Sequence, residues 1–235
     1  MPGLLEAGSL GEGVRAVLFD FDGTLVDSNF QTSLAISDLL AQRGYQKDPH
    51  EIVEYLGSGT LENALELWFG ISDDEQREFF TDLRPLMYDH YLKDAPTIAP
   101  ADALLDEIRA RDVTVALVTN RSEWGAQQGI EAAGWHGIFE FVVGHDTTPN
   151  PKPHPAPALH ALDLLGMAPS DVIFVGDNET DVNCAVDAGI PTVVAIADGD
   201  KATRLAALGA SHLRANLHAV SDLLLHSSEQ EHNQI

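Results

Sequence analysis

Positive charge is scarce in this chain. Thirteen lysines and arginines face 37 aspartates and glutamates, for a formal net charge of −24, and the only lysines are Lys47, Lys93, Lys152 and Lys201. Nucleic acid and anionic membrane are bound chiefly through Lys and Arg, so neither is an expected partner. An acidic surface of this kind solubilises, and it is also what adaptation to high salt produces. Cysteine is nearly absent: the lone Cys184 excludes an intramolecular disulfide and, within VNCAVDAG, reads as a small buried hydrophobe on a helix. No apolar run approaches the roughly 20 residues of a membrane span. The opening MPGLLEAGSLGEG has neither a basic region nor a sustained apolar stretch, so it reads as a flexible lead-in rather than a signal peptide. The expectation is a soluble cytoplasmic protein. Histidine groupings with zinc spacing are also missing.

What is present is a rhythm. After residue 100 helical and extended patterns alternate: the helix ADALLDEIRARD with Leu104, Leu105 and Ile108 inward, the strand VTVALVTN, and a helix from about Ser122 to Gly134. A strand around FEFVVG, the helix PAPALHALDLLG, the strand DVIFVGD, the helix TDVNCAVDAG and the strand PTVVAI follow. Helices in KATRLAALG and AVSDLLL close the pattern, and HSSEQEHNQI reads as a frayed tail. Strands joined by helices of this length imply a right-handed parallel sheet covered on both faces, and the strands are apolar almost throughout, as doubly covered strands are. The fold class is therefore α/β, a Rossmann-like doubly wound parallel sheet.

Residues 28–96 break the rhythm, for they carry helical periodicity only. FQTSLAISDLLAQRG places Phe30, Leu34, Ile36, Leu39 and Leu40 together, with Gly44 as a stop. Ser72 and Glu75 form a capping box that opens a helix with Phe79, Leu83, Met87 and Tyr91 on one stripe, which Pro85 is expected to kink. The expected organisation is an α/β core of residues 1–27 and 97–235 and an inserted all-helical domain of residues 28–96. Paired crossings let such an insert move as a lid.

Ligand sites of open α/β sheets form at the carboxyl ends of strands. The first strand, in VRAVLFDFDGTLVDS, ends at Asp20 and Asp22, whose side chains lie two apart and so on one face if the strand continues. Two like charges about 5 Å apart repel by roughly 3 kcal/mol at an effective dielectric near 20, so a proton or cation must relieve them. The next strand ends at Thr119 and Asn120, the third is followed by Pro151-Lys152-Pro153, and the fourth ends at Asp177, with Asp181 shortly after. Grouped carboxylates with an all-oxygen donor set favour Mg²⁺. Thr119 and Asn120, with exposed backbone N–H groups, suit phosphate oxygens, and Lys152 supplies the positive charge such an anion needs. Gly23 lets the backbone approach metal or ligand.

The set DFDGTLVDS, VTN, PKPHP and GDNETD closely resembles the haloacid dehalogenase superfamily of phosphohydrolases, in particular its phosphoglycolate phosphatase-like branch with a helical cap, over about residues 14–225. The resemblance implies that Asp20 attacks phosphorus to form an aspartyl-phosphate, and that Asp22 protonates the leaving alkoxide and then activates water. It further implies that the Asp20 and Asp177 carboxylates and the backbone carbonyl of Asp22 bind Mg²⁺, and that Thr119 and the Asn120 backbone hold the phosphoryl group. Lys152 would neutralise charge, and Asp181 would either reach the metal shell through water or orient Lys152. Phe21 and Arg121 are expected to border the substrate.

Relatives with other chemistry fit less well. Haloacid dehalogenases proper lack a second aspartate at the position of Asp22; phosphonatases lack it too and use a cap lysine, whereas Lys47 and Lys93 lie in polar surroundings. A sugar-phosphate mutase keeps the same core motifs and stands as an alternative, as does a non-catalytic phospho-ligand-binding regulator. Arg121 stands where lysine is frequent in this branch, and Asn178 where serine or threonine is. Substrate choice is expected in the cap, where Gly57, Ser58, Gly59 and Thr60 form either a polar loop over the site or a helix-to-helix turn with Thr60 as N-cap. Asn29, Phe30 and His154 are further polar or bordering candidates. The short insert favours a small phosphorylated metabolite, phosphoglycolate-like in size, and the sequence carries no signal for an oligomeric state.

Overall fold

The structure, a computed structural model, describes residues 13–56, 61–87 and 95–225. It divides into two compact units, Met1–Val26 with Thr97–Ile235, and Asp27–Pro96. The first holds six parallel strands: β1 (Ala16–Phe19), β2 (Thr114–Val118), β3 (Val142–Val143), β4 (Val172–Gly176), β5 (Thr192–Ile196) and β6 (His212–Arg214). Their order across the sheet is β3-β2-β1-β4-β5-β6, so the direction of winding reverses between β1 and β4. A crevice outside the carboxyl ends of the strands opens at such a reversal.

Register and alternation explain the core. Leu18 lies between Ala116 and Phe174, and these pack with Ala158, Val182 and Leu205 in one cluster. Their neighbours Val17, Phe19, Leu117 and Val175 point to the opposite face and are equally buried. Both faces are therefore covered, as the continuous apolar strands require.

The unit of residues 27–96 contains α1 (Asn29–Gln42), α2 (Pro49–Leu56), α3 (Leu61–Phe69) and α4 (Asp73–Leu86), with no strand among its described residues. Ile36, Leu39, Leu40, Ile52, Leu65, Phe79 and Leu83 form its own apolar core. Phe30 departs from the expected inward face: at the first turn of α1 it is 37% exposed and stacks on His50, while Ser33 takes the buried position and donates its hydroxyl to the Phe30 carbonyl. Glu75 accepts from both the backbone N–H and the hydroxyl of Ser72, which caps α4 and holds the Glu75 carboxyl below its ordinary range. Helix α4 ends one residue after Pro85, whose missing N–H removes a bond from the last turn. Tyr91 lies outside the described residues.

In the α/β unit the helices are α5 (Ala101–Arg109), α6 (Glu123–Ala132), α7 (Ala156–Leu165), α8 (Glu179–Asp187), α9 (Gly199–Ala207) and α10 (Leu217–Leu225). Leu104, Leu105 and Ile108 of α5 are fully buried, as their spacing predicts. Strand β3 is shorter than expected, because only Val142 and Val143 join the ladder, and β6 was not anticipated: two of its three residues are polar. No helix among the described residues is long and apolar enough to cross a membrane.

Cys184 lies on the inner face of α8, fully buried in the main cluster, and burial pushes its thiol up to about 11. At pH 8 only about one thiol in a thousand would be thiolate, the reactive form. The folded chain should therefore resist iodoacetamide at pH 8, and the urea-unfolded chain should take up one equivalent. Rapid labelling of the folded protein, read by mass spectrometry, would contradict this placement.

Candidate active site

Asp20 is the first residue beyond β1, and its backbone N–H bonds to the Val175 carbonyl of β4 at 2.8 Å, which fixes it at the reversal point. Asp177 and Asp181 follow β4 on the other side. One oxygen from each of Asp20, Asp177 and Asp181 lies within 4.8 Å of the others. Two glycines make this approach possible. At Gly176 a Cβ would meet the Asp181 side chain at 2.5 Å, and at Gly23, whose φ is +80°, it would meet the Asp177 carboxylate at 2.9 Å. Asp181 Oδ2 accepts the backbone N–H groups of Asp177 and Asn178, so the same residue caps the start of α8.

Lys152 enters from the loop before α7 and is buried. Its Nζ donates to Asp20 Oδ1 at 2.6 Å, to Asp181 Oδ1 at 2.6 Å and to the Val118 carbonyl at the end of β2 at 2.8 Å. An ammonium has three donors, and all three are engaged. Asn120 Nδ2 donates to the Lys152 carbonyl at 3.2 Å and so ties the lysine's loop to the end of β2. Asp181 thus both contacts Lys152 and belongs to the carboxylate group that could hold a metal.

The electrostatics follow from burial. Burial pushes the Asp20 carboxyl well above the ordinary range, the Asp181 carboxylate pushes it further, and Lys152 pulls back without prevailing. Burial likewise raises Asp177, against the pull of Lys201, whose Nζ lies 2.8 Å from Asp177 Oδ2. Burial disfavours the Lys152 ammonium, but Asp181 and Asp20 outweigh it, so its pKa is held above the ordinary lysine value and it stays charged. The donor set is oxygen only, in a cluster whose carboxylates remain short of positive charge, and this suits a hard divalent cation such as Mg²⁺.

Several expected residues meet and others do not. Asp20, Asp177, Asp181 and Lys152 come together with Thr24, whose Oγ1 is 3.5 Å from Asp20 Oδ2. The Asp22 carboxylate does not join this cluster. It lies in the turn beyond β1 and accepts from Arg121 Nε at 2.7 Å and Nη2 at 2.6 Å. The Phe21 and Arg121 side chains are both buried, with the guanidinium 4.7 Å above the Phe21 ring. Thr119 is buried, and its N–H is committed to the Val143 carbonyl at 2.9 Å rather than exposed, while its Oγ1 accepts from Arg121 N at 3.1 Å. Asn120 is exposed, and so is His154. Gly57, Ser58, Gly59 and Thr60 lie outside the described residues, as does Lys93.

Lys201 was missed, though the rule that sites gather at strand ends would have reached it: it sits at the start of α9, just past β5.

The raised pKa of Asp177 carries a sign. Its unfolded carboxyl titrates near 3.8 and its folded one higher, so the folded state binds more protons in that window and stability falls as pH rises through it. In EDTA at pH 7, Asp177→Asn should therefore unfold at a higher temperature than wild type. The advantage should shrink as pH is lowered toward the unfolded value. A lower melting temperature for the variant at pH 7 would contradict the assignment.

Residues 17–195 match the family model described as haloacid dehalogenase-like hydrolase. The chain is 31% identical over 188 residues to a phosphoglycolate phosphatase from Psychrobacter arcticus, covering 76% of this chain and 82% of the relative. It is 30% identical to one from Aquifex aeolicus, covering 78% and 85%. Among solved structures, a haloacid dehalogenase-like hydrolase from Streptococcus pneumoniae superposes with a TM-score of 0.76 at 22% identity, covering 89% of this chain and 98% of that one. A hydrolase of the family from Deinococcus radiodurans, solved with bound phosphate and sodium, superposes at 0.69 with 23% identity, covering 91% and 99%. The fold, the strand-end carboxylates and these matches together make the chain a member of the haloacid dehalogenase-like hydrolases.

Proposed function

We propose that the chain is a Mg²⁺-dependent phosphatase that hydrolyses a small phosphomonoester, of the size of phosphoglycolate, through an aspartyl-phosphate on Asp20. The observation that carries this reading is Asp20 itself: a buried carboxylate at the sheet's reversal point, held by Lys152 and grouped with Asp177 and Asp181. The names of the relatives supply the substrate class.

In the first half-reaction an Asp20 oxygen bonds to phosphorus while the ester P–O bond breaks, its electrons passing to the leaving oxygen, which takes a proton from Asp22. In the second, water bonds to phosphorus, the Asp20–phosphorus bond breaks, and the water's proton returns to Asp22. Lys152 holds Asp20 in place and offsets charge as the two anions meet. The Thr119 hydroxyl and the Asn120 backbone would hold the phosphoryl oxygens. Asp20, Asp177 and the Asp22 carbonyl would hold Mg²⁺, with Asp181 behind them, and a bound Mg²⁺ supplies charge neutralisation and orientation of the phosphoryl group. Lys47 does not offer Schiff-base chemistry, since it is ion-paired with Glu51 and lies over Trp68.

Phosphate release from a panel of small phosphomonoesters tests the reading. Wild type should release phosphate with Mg²⁺ and not with EDTA, and Asp20→Asn should fall below detection with an unchanged circular dichroism spectrum. Asp22→Asn should lose on the order of 10²–10⁴ in turnover, because one group serves as acid and then base. Release by Asp20→Asn at the wild-type rate would sink the mechanism.

A further inference from the structure

Arg121 follows Thr119-Asn120 at the end of β2, beside the place where a phosphate would sit. A substrate-binding arginine there would turn its guanidinium outward. Instead its side chain is 1% exposed and two of its donor nitrogens turn to a residue 99 positions away. Nε and Nη2 grip the two oxygens of Asp22 at 2.7 and 2.6 Å, a two-point contact that fixes both the place and the plane of the carboxylate.

The fork is itself held. Its flat face lies 4.7 Å from the Phe21 ring centroid, and Phe21 meets the Trp135 ring edge-on at 6.1 Å. Trp135 donates Nε1–H to Asp102 Oδ1 at 2.6 Å. The Arg121 backbone is pinned from both sides, its N–H by Thr119 Oγ1 and its carbonyl by the His145 N–H at 2.8 Å. Space for the stack exists only because residue 129 is glycine. A Cβ there would stand 2.6 Å from Phe21 Cε1 and 3.0 Å from Arg121 Nη1. The Asp22 side chain, by contrast, is 31% exposed. One edge is clamped, and each oxygen keeps a lone pair outside the clamp where a proton can be given or taken.

We propose that Arg121, stacked on Phe21, is the positioning residue for Asp22, fixing the carboxylate that exchanges protons with the leaving group and then with water. This rests on the reading of Asp22 as acid and base given above. Lysine cannot reproduce the contact, since an ammonium is a point charge with no planar fork to grip two oxygens and stack on a ring.

The leaving group separates a positioning role from general damage. An alkoxide departs only with a proton, whereas p-nitrophenolate departs without one, and both esters then need water activated. Arg121→Lys and Gly129→Ala would be compared with wild type in Mg²⁺, by rapid mixing with 2-phosphoglycolate and with p-nitrophenyl phosphate. Folding would be monitored by thermal unfolding, and Gly129→Ala leaves every polar group of the clamp in place should Arg121→Lys fail to fold. The expected result is kcat for the alkyl ester lower by on the order of 10²-fold with KM little changed. The first nitrophenolate should still appear at the wild-type rate, as a burst of one equivalent per active site followed by slow turnover. Equal slowing of the first turnover with both esters, or no slowing with either, overturns the clamp. Absence of phosphate release by wild type from both esters overturns the phosphatase reading instead, and the clamp's role with it.

Discussion

Three protons on one buried nitrogen tie together parts of the chain that are far apart in sequence. Lys152 bonds the carboxylate after β1, the carboxylate that caps α8 and the last carbonyl of β2. Without that cation, Asp20 and Asp181 would be uncompensated charges in a low-dielectric interior. Breaking a buried pair in that way costs about 3–5 kcal/mol. The ladder between β1 and β4 brings these strand ends together, and the same lysine offsets the charge that meets there. Lys201 supplies a weaker second correction from the solvent side.

Positive charge is rationed in this protein, and its distribution is informative. Of the four lysines, two point into one acidic cluster and Lys47 serves a local pair in the helical unit. Arg121 is spent on Asp22. The first aspartate of the DFD sequence thus receives a lysine and the second an arginine, and the difference is chemical. The point charge of an ammonium can serve several oxygens at once. A guanidinium fork holds one carboxylate in one plane. In the mechanism proposed above, a group that bonds to phosphorus and a group that aims a proton call for those different partners.

Much of this was legible because it is periodic or punctual. Apolar strands that stop abruptly at Asp20, Thr119 and Asp177 announce both a covered parallel sheet and the edge where its polar groups collect. Two classes of feature were not legible. Strand β6 is too short and too polar for a period-two signal, since its place comes from pairing with β5 alone. The other class is mutual placement. In the sequence Arg121 reads as a residue beside the substrate, and only its three-dimensional meeting with Asp22, Phe21 and the bare face of Gly129 brings out its bond to the second aspartate. Phe30 failed for a related reason: helical phase put it on the inner stripe, but the first turn of a helix has no neighbour above it to complete the burial.

The connection between the two units has a consequence for how such a chain could be assembled. Val26 and Thr97 pair as an antiparallel bridge, and the Asp27 N–H bonds to the Pro96 carbonyl at 2.8 Å. The segment between them thus starts and ends at the same place, like the stem of a hairpin. For an unstructured loop, each doubling of length adds only about 0.6 kcal/mol to the cost of closure, and a segment that folds with its own ends together adds less. The sheet is therefore nearly indifferent to what hangs from that stem, and the stem is a natural graft point: one catalytic core could exchange its helical attachment for another of different size without reworking a single strand.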